Sequence, residues 1–246
     1  MEQWLPSGSD QTTQDELDSE MNPNIIYDDF EQGSPEWFTI RRGRPTASAF
    51  GRIITSKGKP SDQAHAYANE LVAQRLGATD GGWGGNRYAD RGTELEPKAR
   101  EMYEIAEDVD VRQCGFIYNE TLLAGGSPDG LVGDDGGLEI KTVSGNTFVE
   151  YLKKPTVVPA TYLPQVHGLM AVSCRPWWDV FLWAPEISGM RNFLLIRVEA
   201  DDYTRTLAGA VIVFASKLDT LEQSIRESHD GGTCQMKPLI DEVPEK

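Results

Sequence analysis

The spacing of apolar positions divides this chain into helical and extended stretches before any chemistry is considered. Between residues 62 and 76, Ala64, Ala68, Leu71, Val72 and Leu76 recur at helical spacing, and Gly77 suits a helix end. Leu95, Ala99, Met102, Tyr103 and Ala106 place a second amphipathic helix over about 92–107. The Gly-rich stretch 78–86 around Trp83 is expected to be a loop. Strands are predicted at about 114–119, 122–125, 129–133 and 137–142, and helices at 145–153 and 161–173. Two β-rich runs, 177–183 and 193–198, then lead into a long helix over about 202–227. Helices, a central set of strands, then helices and strands again predict an α/β fold. Its core is a central mixed β-sheet flanked by helices, with ligands at one edge.

Residues 1–22 show neither period and are acidic and rich in Ser, Thr, Gln and Asp, so a disordered tail is expected there. Residues 23–246 are expected to form a single domain, with folded structure starting near Ile25-Ile26-Tyr27. No apolar run approaches the roughly 20 residues of a membrane span, and the acidic N-terminus does not resemble a secretory signal. Cys114, Cys174 and Cys234 lie far apart, which argues against a disulfide framework or a cysteine-ligated metal and points to a reducing, cytoplasmic setting. The net charge of −16 sits poorly with a nucleic-acid partner, but residues 1–40 hold −10 of it and contain no Lys or Arg. Net charge governs solubility and association, so a local site with a different balance is compatible with it.

Candidate chemistry centres on Ser127-Pro128-Asp129-Gly130 and Glu139-Ile140-Lys141. Residues two apart on a strand share a face, so Glu139 and Lys141 project together while Ile140 points into the core. Gly133, Gly136 and Gly137, with Asp134 and Asp135, supply turn chemistry, and the resulting hairpin sets Asp129 beside the Glu139/Lys141 pair. Two carboxylates and an ammonium on one rigid edge suit metal-assisted phosphodiester cleavage. The same tripeptide also occurs on plain solvated strand faces. Glu96 can border the buried face of the second helix; the plainer alternative is a helix-start carboxylate favoured by the helix dipole. Gln165 and His167 share a later helix but point about 200° apart. The stretch 37–48 carries Arg41, Arg42 and Arg44 with Ser48, a set equally suited to phosphate oxygens or to facing the acidic tail.

Together these segments resemble the lambda-type phage exonucleases, or YqaJ viral recombinase family, of the PD-(D/E)xK nuclease superfamily. Four ordered motifs carry the resemblance: W-x3-R-x-G-x-x-T-A-S at 37–48, R-G-x-x-x-E-P-x-A-R at 91–100, S-P-D-G…L-E-I-K at 127–141 and L-P-Q-V-H-G-L-M at 163–170. The resemblance implies a restriction-endonuclease-like core. It also implies metal ligands Asp129 and Glu139, with the Ile140 backbone carbonyl as a third and Glu96 approaching from its helix. Lys141 would be the catalytic lysine, and Gln165 would line the site. Arg41, Ser48 and Ser127, supported by Arg42 and Arg44, match positions that hold a 5′-terminal phosphate. The implied activity is Mg²⁺-dependent 5′→3′ removal of one strand from double-stranded DNA ends, with Mn²⁺ able to substitute. The implied assembly is a ring-shaped homotrimer, partnered by a single-strand annealing protein in phage-type recombination.

Two departures stand out. His167 replaces a second glutamine found in some relatives, and 142–147 contains no basic residue after the lysine, leaving Arg42, Arg44 or Lys153 as substitutes. Rival functions are a structure-specific or restriction-type endonuclease on the same core, which would cut closed circles, and a non-catalytic DNA-end-binding scaffold.

Overall fold

Apolar runs between residues 111 and 199 pair into a five-stranded sheet that carries the candidate acids at its centre. The structure, a computed structural model, describes residues 25–78, 87–188 and 191–231. The expected tail at 1–22, nearly all of the Gly-rich stretch 78–86, and Cys234 lie outside the described residues. In chain order the elements are β1 (Ile25–Asp28), α1 (Pro35–Arg41), a 3-10 helix (Ala47–Arg52), α2 (Ala64–Arg75) and α3 (Arg87–Glu107). There follow β2 (Val111–Arg112), β3 (Phe116–Asn119), β4 (Ala124–Gly126), β5 (Gly130–Val132) and β6 (Gly136–Thr142). The chain continues through α4 (Gly145–Leu152), α5 (Leu163–Ser173), β7 (Trp177–Trp183), β8 (Phe193–Glu199) and α6 (Asp202–Gly231).

The sheet order is β2-β5-β6-β7-β8, with β6 and β7 parallel and the other pairs antiparallel. This is the mixed, helix-flanked sheet expected from the element order. A parallel pair needs a long crossover, and α4 and α5 provide it. Successive residues on β6 and β7 serve opposite faces. Leu138, Ile140, Phe181 and Trp183 meet Ala99 and Tyr103 of α3 on one face. Trp178, Val180 and Leu182 join Leu169 of α5 and Leu207, Val211 and Leu218 of α6 on the other.

The strands predicted around 114–125 do not join this sheet. β3 and β4 pair with β1 in a separate three-stranded sheet, a long-range partnership that local patterning does not reveal. Gly136 and Gly137 were expected to supply turn chemistry, with the strand beginning at about 137; both belong to β6, which opens one residue earlier. A Cβ at Gly136 would lie 1.9 Å from the Trp177 ring, and one at Gly137 would lie 2.3 Å from the Trp178 ring. These glycines are small because two indoles on the neighbouring strand occupy their side-chain space. Helix α3 starts at Arg87, ahead of the predicted 92, and continues through Pro97. Helix α1 also escaped the periodicity because it is short; Ser34 caps it by accepting from Trp37 N at 3.2 Å.

Candidate active site

The register of the β5–β6 hairpin, Gly130 opposite Leu138, sets Asp129 across from Glu139 at the hairpin's open end. Asp129 Oδ2 accepts a 2.6 Å hydrogen bond from Ile140 N, fixing that carboxylate against β6. Gln32 pins the turn before it, with Nε2 donating to Pro128 O at 2.8 Å and Cys114 O at 3.2 Å. Glu139 and Lys141 share a face as their spacing requires, and Lys141 Nζ stands 2.6 Å from Glu139 Oε1. Gln165 on α5 closes a triangle with them. Its Nε2 donates to Glu139 Oε1 at 2.6 Å, and its Oε1 accepts from Lys141 Nζ at 3.2 Å. Tyr162, just before α5, places its ring 5.4 Å from Lys141 Nζ.

Helix α3 brings Glu96 to the same cluster. Arg100, one turn later, donates through Nη2 to Glu96 Oε1 and through Nε to Asp129 O at 3.0 Å. Farther along, Tyr103 is fully buried and its hydroxyl donates to Asp179 Oδ2 at 2.8 Å. Asp179, itself buried on β7, also accepts both prongs of Arg197 at 2.8–2.9 Å. That network locks the register of α3 against the sheet.

Three carboxylates at close quarters carry an electrostatic cost. Burial first, and Asp129 next, push Glu139 up to about 8. Burial and then Asp129 push Glu96 up to about 7, although Arg100 and Lys141 oppose this. Burial raises Asp129 too, against the pull of Lys141, the Ile140 amide and Arg100. Burial alone would lower Lys141, but Glu139 and Asp129 outweigh it, so this side chain stays an ammonium. Glu139 Oε2 is buried and has no hydrogen-bond partner. An acid-rich cluster with an orphaned carboxylate oxygen has the chemistry of a hard-cation site, all oxygen donors and no thiolate or imidazole. Among the described residues, no three His, Cys, Asp or Glu side chains are grouped so as to hold a metal ion. The acids are turned instead onto Lys141, Gln165, Arg100 and the Ile140 amide.

A second set of contacts lies at Ser127, two residues before Asp129. Ser127 Oγ accepts from Arg41 Nη1 and from Trp37 Nε1, both at 2.8 Å. The Arg41 guanidinium lies 4.2 Å from the Trp37 ring centroid and 5.8 Å from that of Phe116. Burial lowers Arg41 to about 10, still charged at neutral pH. The bridge between Thr46 and Gly125, and the packing of Ala47 on Gly126, bring the start of the 3-10 helix alongside β4. Ser48 sits there, exposed, 3.5 Å from Thr46 Oγ1.

Other predicted residues go elsewhere. Arg44 donates to Ile40 O and lies over Tyr118, Arg42 is exposed, and Lys153 is paired with Glu150 at the surface. His167 turns away from Gln165, as the helical arc requires. It is buried, with Nδ1 2.8 Å from Thr204 Oγ1 and its ring edge-on to Tyr203. Arg100 was not singled out from the sequence, although its i,i+4 spacing from Glu96 was a readable signal. Trp37 as the holder of Ser127, and the Tyr103–Asp179–Arg197 network, depend on long-range contacts and left no such signal.

A family model described as the YqaJ-like viral recombinase domain matches residues 36–175, which include every predicted site residue. Among solved structures, the alkaline exonuclease LHK-Exo from Laribacter hongkongensis aligns with a TM-score of 0.72 at 32% identity, covering 80% of this chain and 99% of that one. The same protein in complex with dAMP aligns at 0.71, with the same identity and coverage. A phage related exonuclease from Haemophilus somnus 129PT aligns at 0.55 and 17% identity over 75% of this chain and 96% of its own, a likeness of fold alone. No curated protein sequence gives a significant match.

Proposed function

The chain belongs to the YqaJ-like viral recombinase domain family, and from that premise we propose that it is a Mg²⁺-dependent 5′→3′ exodeoxyribonuclease acting on duplex DNA ends in phage-type recombination. The observation that carries this reading is the buried Glu139 carboxylate, bound on one oxygen by Lys141 and Gln165 and orphaned on the other, beside Asp129. Mg²⁺ would be held by Asp129, Glu139 and the Ile140 carbonyl, with Glu96 nearby; when bound, it lowers the pKa of water and neutralises charge on the phosphoryl group and its leaving oxygen. Lys141, as an ammonium, donates to the attacking water and offsets charge on the phosphoryl oxygens. Gln165 holds both Lys141 and Glu139 in place, which limits the reorganisation needed during reaction.

Hydrolysis joins the water oxygen to phosphorus and breaks the bond to the 3′ oxygen of the terminal nucleotide; the water's proton passes to solvent and the departing 3′ oxygen takes one up. The nucleotide leaves with its own 5′-phosphate, and the shortened strand carries a new one. Arg41, Ser127 and Ser48 would receive the terminal phosphate. Ser127 and Asp129 are separated by Pro128 alone, roughly 7 Å of extended chain, a span comparable with one nucleotide step. Anchoring the end there would set the next phosphodiester at the acids. The homotrimer and an annealing-protein partner belong to the same proposal. Among the described residues, no helix is long and apolar enough to cross a membrane.

Linear and closed circular duplexes, incubated in Mg²⁺ or EDTA, test the activity. Mononucleotide release from linear DNA in Mg²⁺ alone is expected; comparable cutting of circles would overturn the exonuclease reading.

The acids also predict a pH signature. In the ion-free protein, Glu96 and Glu139 retain protons up to about 7 and about 8, whereas their unfolded value is 4.5. The folded chain then binds more protons than the unfolded chain, so stability falls as pH rises from 4.5 through 8. Melting in EDTA should therefore show a falling midpoint across that window. Added Mg²⁺ should stabilise the protein more at the alkaline end than at the acid end. Equal Mg²⁺ stabilisation at both ends would remove the acids as its binding site.

A further inference from the structure

Arg100 has two contacts that together span the candidate site. Its Nε donates to Asp129 O at 3.0 Å, and its Nη2 donates to Glu96 Oε1. Its side chain is only 11% exposed. Glu96 needs restraint: it lies close enough to Asp129 for the two charges to repel, and a glutamate has three free torsions with which to swing outward. Helix α3 does not depend on Arg100 to stay in place. Ala99 and Tyr103 are fully buried in the cluster against β6 and β7, and the Tyr103 hydroxyl is fixed to Asp179. What Arg100 adds is control of one side chain rather than of the helix.

We propose that Arg100 is a positioning residue that acts through Glu96, its forked guanidinium holding that carboxylate toward Asp129. The planar fork is essential, because one nitrogen must reach a backbone carbonyl while another reaches the carboxylate. A lysine at 100 keeps the charge but offers a single point of attachment. The proposal rests on the nuclease reading above, in which Glu96 takes part in the reaction.

The test compares wild type, Glu96→Gln, Arg100→Met and the double variant, with Arg100→Lys as a milder change. Arg100→Met should lower kcat on 5′-phosphorylated linear duplex about 30-fold, with KM within about twofold. The double variant should be no slower than Glu96→Gln alone, within about twofold, because Arg100 has nothing left to hold. Arg100→Lys should also lose kcat, about tenfold, while melting near the wild-type temperature. In EDTA, Arg100→Met should melt lowest, since it strands a half-buried carboxylate, and the double variant should recover most of the loss. Kinetic effects that multiply in the double variant, a double variant that melts no higher than Arg100→Met, or wild-type turnover in Arg100→Lys would each overturn the proposal. Full activity in Glu96→Gln would instead refute the role of Glu96, and the EDTA melts would still report the pair.

Discussion

Asp129→Asn and Lys141→Ala are each expected to lower Mg²⁺-dependent digestion of linear duplex DNA by about 10³-fold or more, equivalent to about 4 kcal/mol of transition-state stabilisation. Asp129→Asn keeps the side chain's shape but removes charge from the carboxylate that accepts from Ile140 N. The hairpin should survive, since its ladder and the Gln32 bonds to the turn are untouched. Lys141→Ala acts differently. It removes the ammonium from Glu139 Oε1, and Glu139, buried and already raised to about 8, then has less reason to ionise at neutral pH. The donor to the attacking water is lost at every pH, and Glu139 needs a still higher pH to ionise, so raising the pH should rescue only part of the loss. Single-turnover digestion of 5′-phosphorylated linear duplex, with circular dichroism to verify folding, measures both. A folded variant of either kind that retains more than a tenth of wild-type rate would remove this hairpin from the chemistry.

Much of the site was legible because it is local. Asp129, Glu139 and Lys141 lie on one hairpin, and the period of two fixes which side chains share a face whatever the rest of the fold does. Gln165 and His167 were separable on the same grounds: a helical arc of about 200° sends one to Glu139 and the other to Thr204. The family motifs then carried the restriction-endonuclease-like fold, which the mixed sheet and the LHK-Exo alignment bear out. What stayed hidden depends on distant partners. Gly136 and Gly137 look like turn residues until Trp177 and Trp178 are seen filling the space beside them. β3 and β4 look like central strands until β1, some 90 residues earlier, takes them into another sheet. Asp179 on an apolar strand gives no hint of Tyr103 and Arg197, which bind its carboxylate from two other elements. Sequence reports periodicity and spacing; it does not report which surfaces meet.

The end preference should collapse in Arg41→Ala. Burial lowers this guanidinium to about 10, so its charge is held at a desolvation cost that an incoming phosphate dianion would offset. Its geometry is fixed in advance: Trp37 lies beneath the plane at 4.2 Å, and Ser127 Oγ accepts from Nη1 at 2.8 Å. Trp37 in turn donates to the same Ser127 oxygen and to Gly115 O at 3.1 Å, so Ser127 keeps a partner without Arg41. Charge-assisted hydrogen bonds are each worth about 1.5–3 kcal/mol, which makes a loss of about 100-fold in kcat/KM on 5′-phosphorylated ends the expected size. On 5′-hydroxyl ends, where no phosphate reaches the pocket, the same variant should differ from wild type by less than about threefold. Arg41→Lys should fall between, keeping charge while losing the fork and the stacking on Trp37. Parallel kinetics on the two kinds of end separate this from general damage, which would slow both alike. If Arg41→Ala kept the wild-type ratio between phosphorylated and hydroxyl ends, the terminal phosphate would have to bind elsewhere. Direction would then no longer follow from the pocket at Ser127, although the acids and Lys141 would still cut.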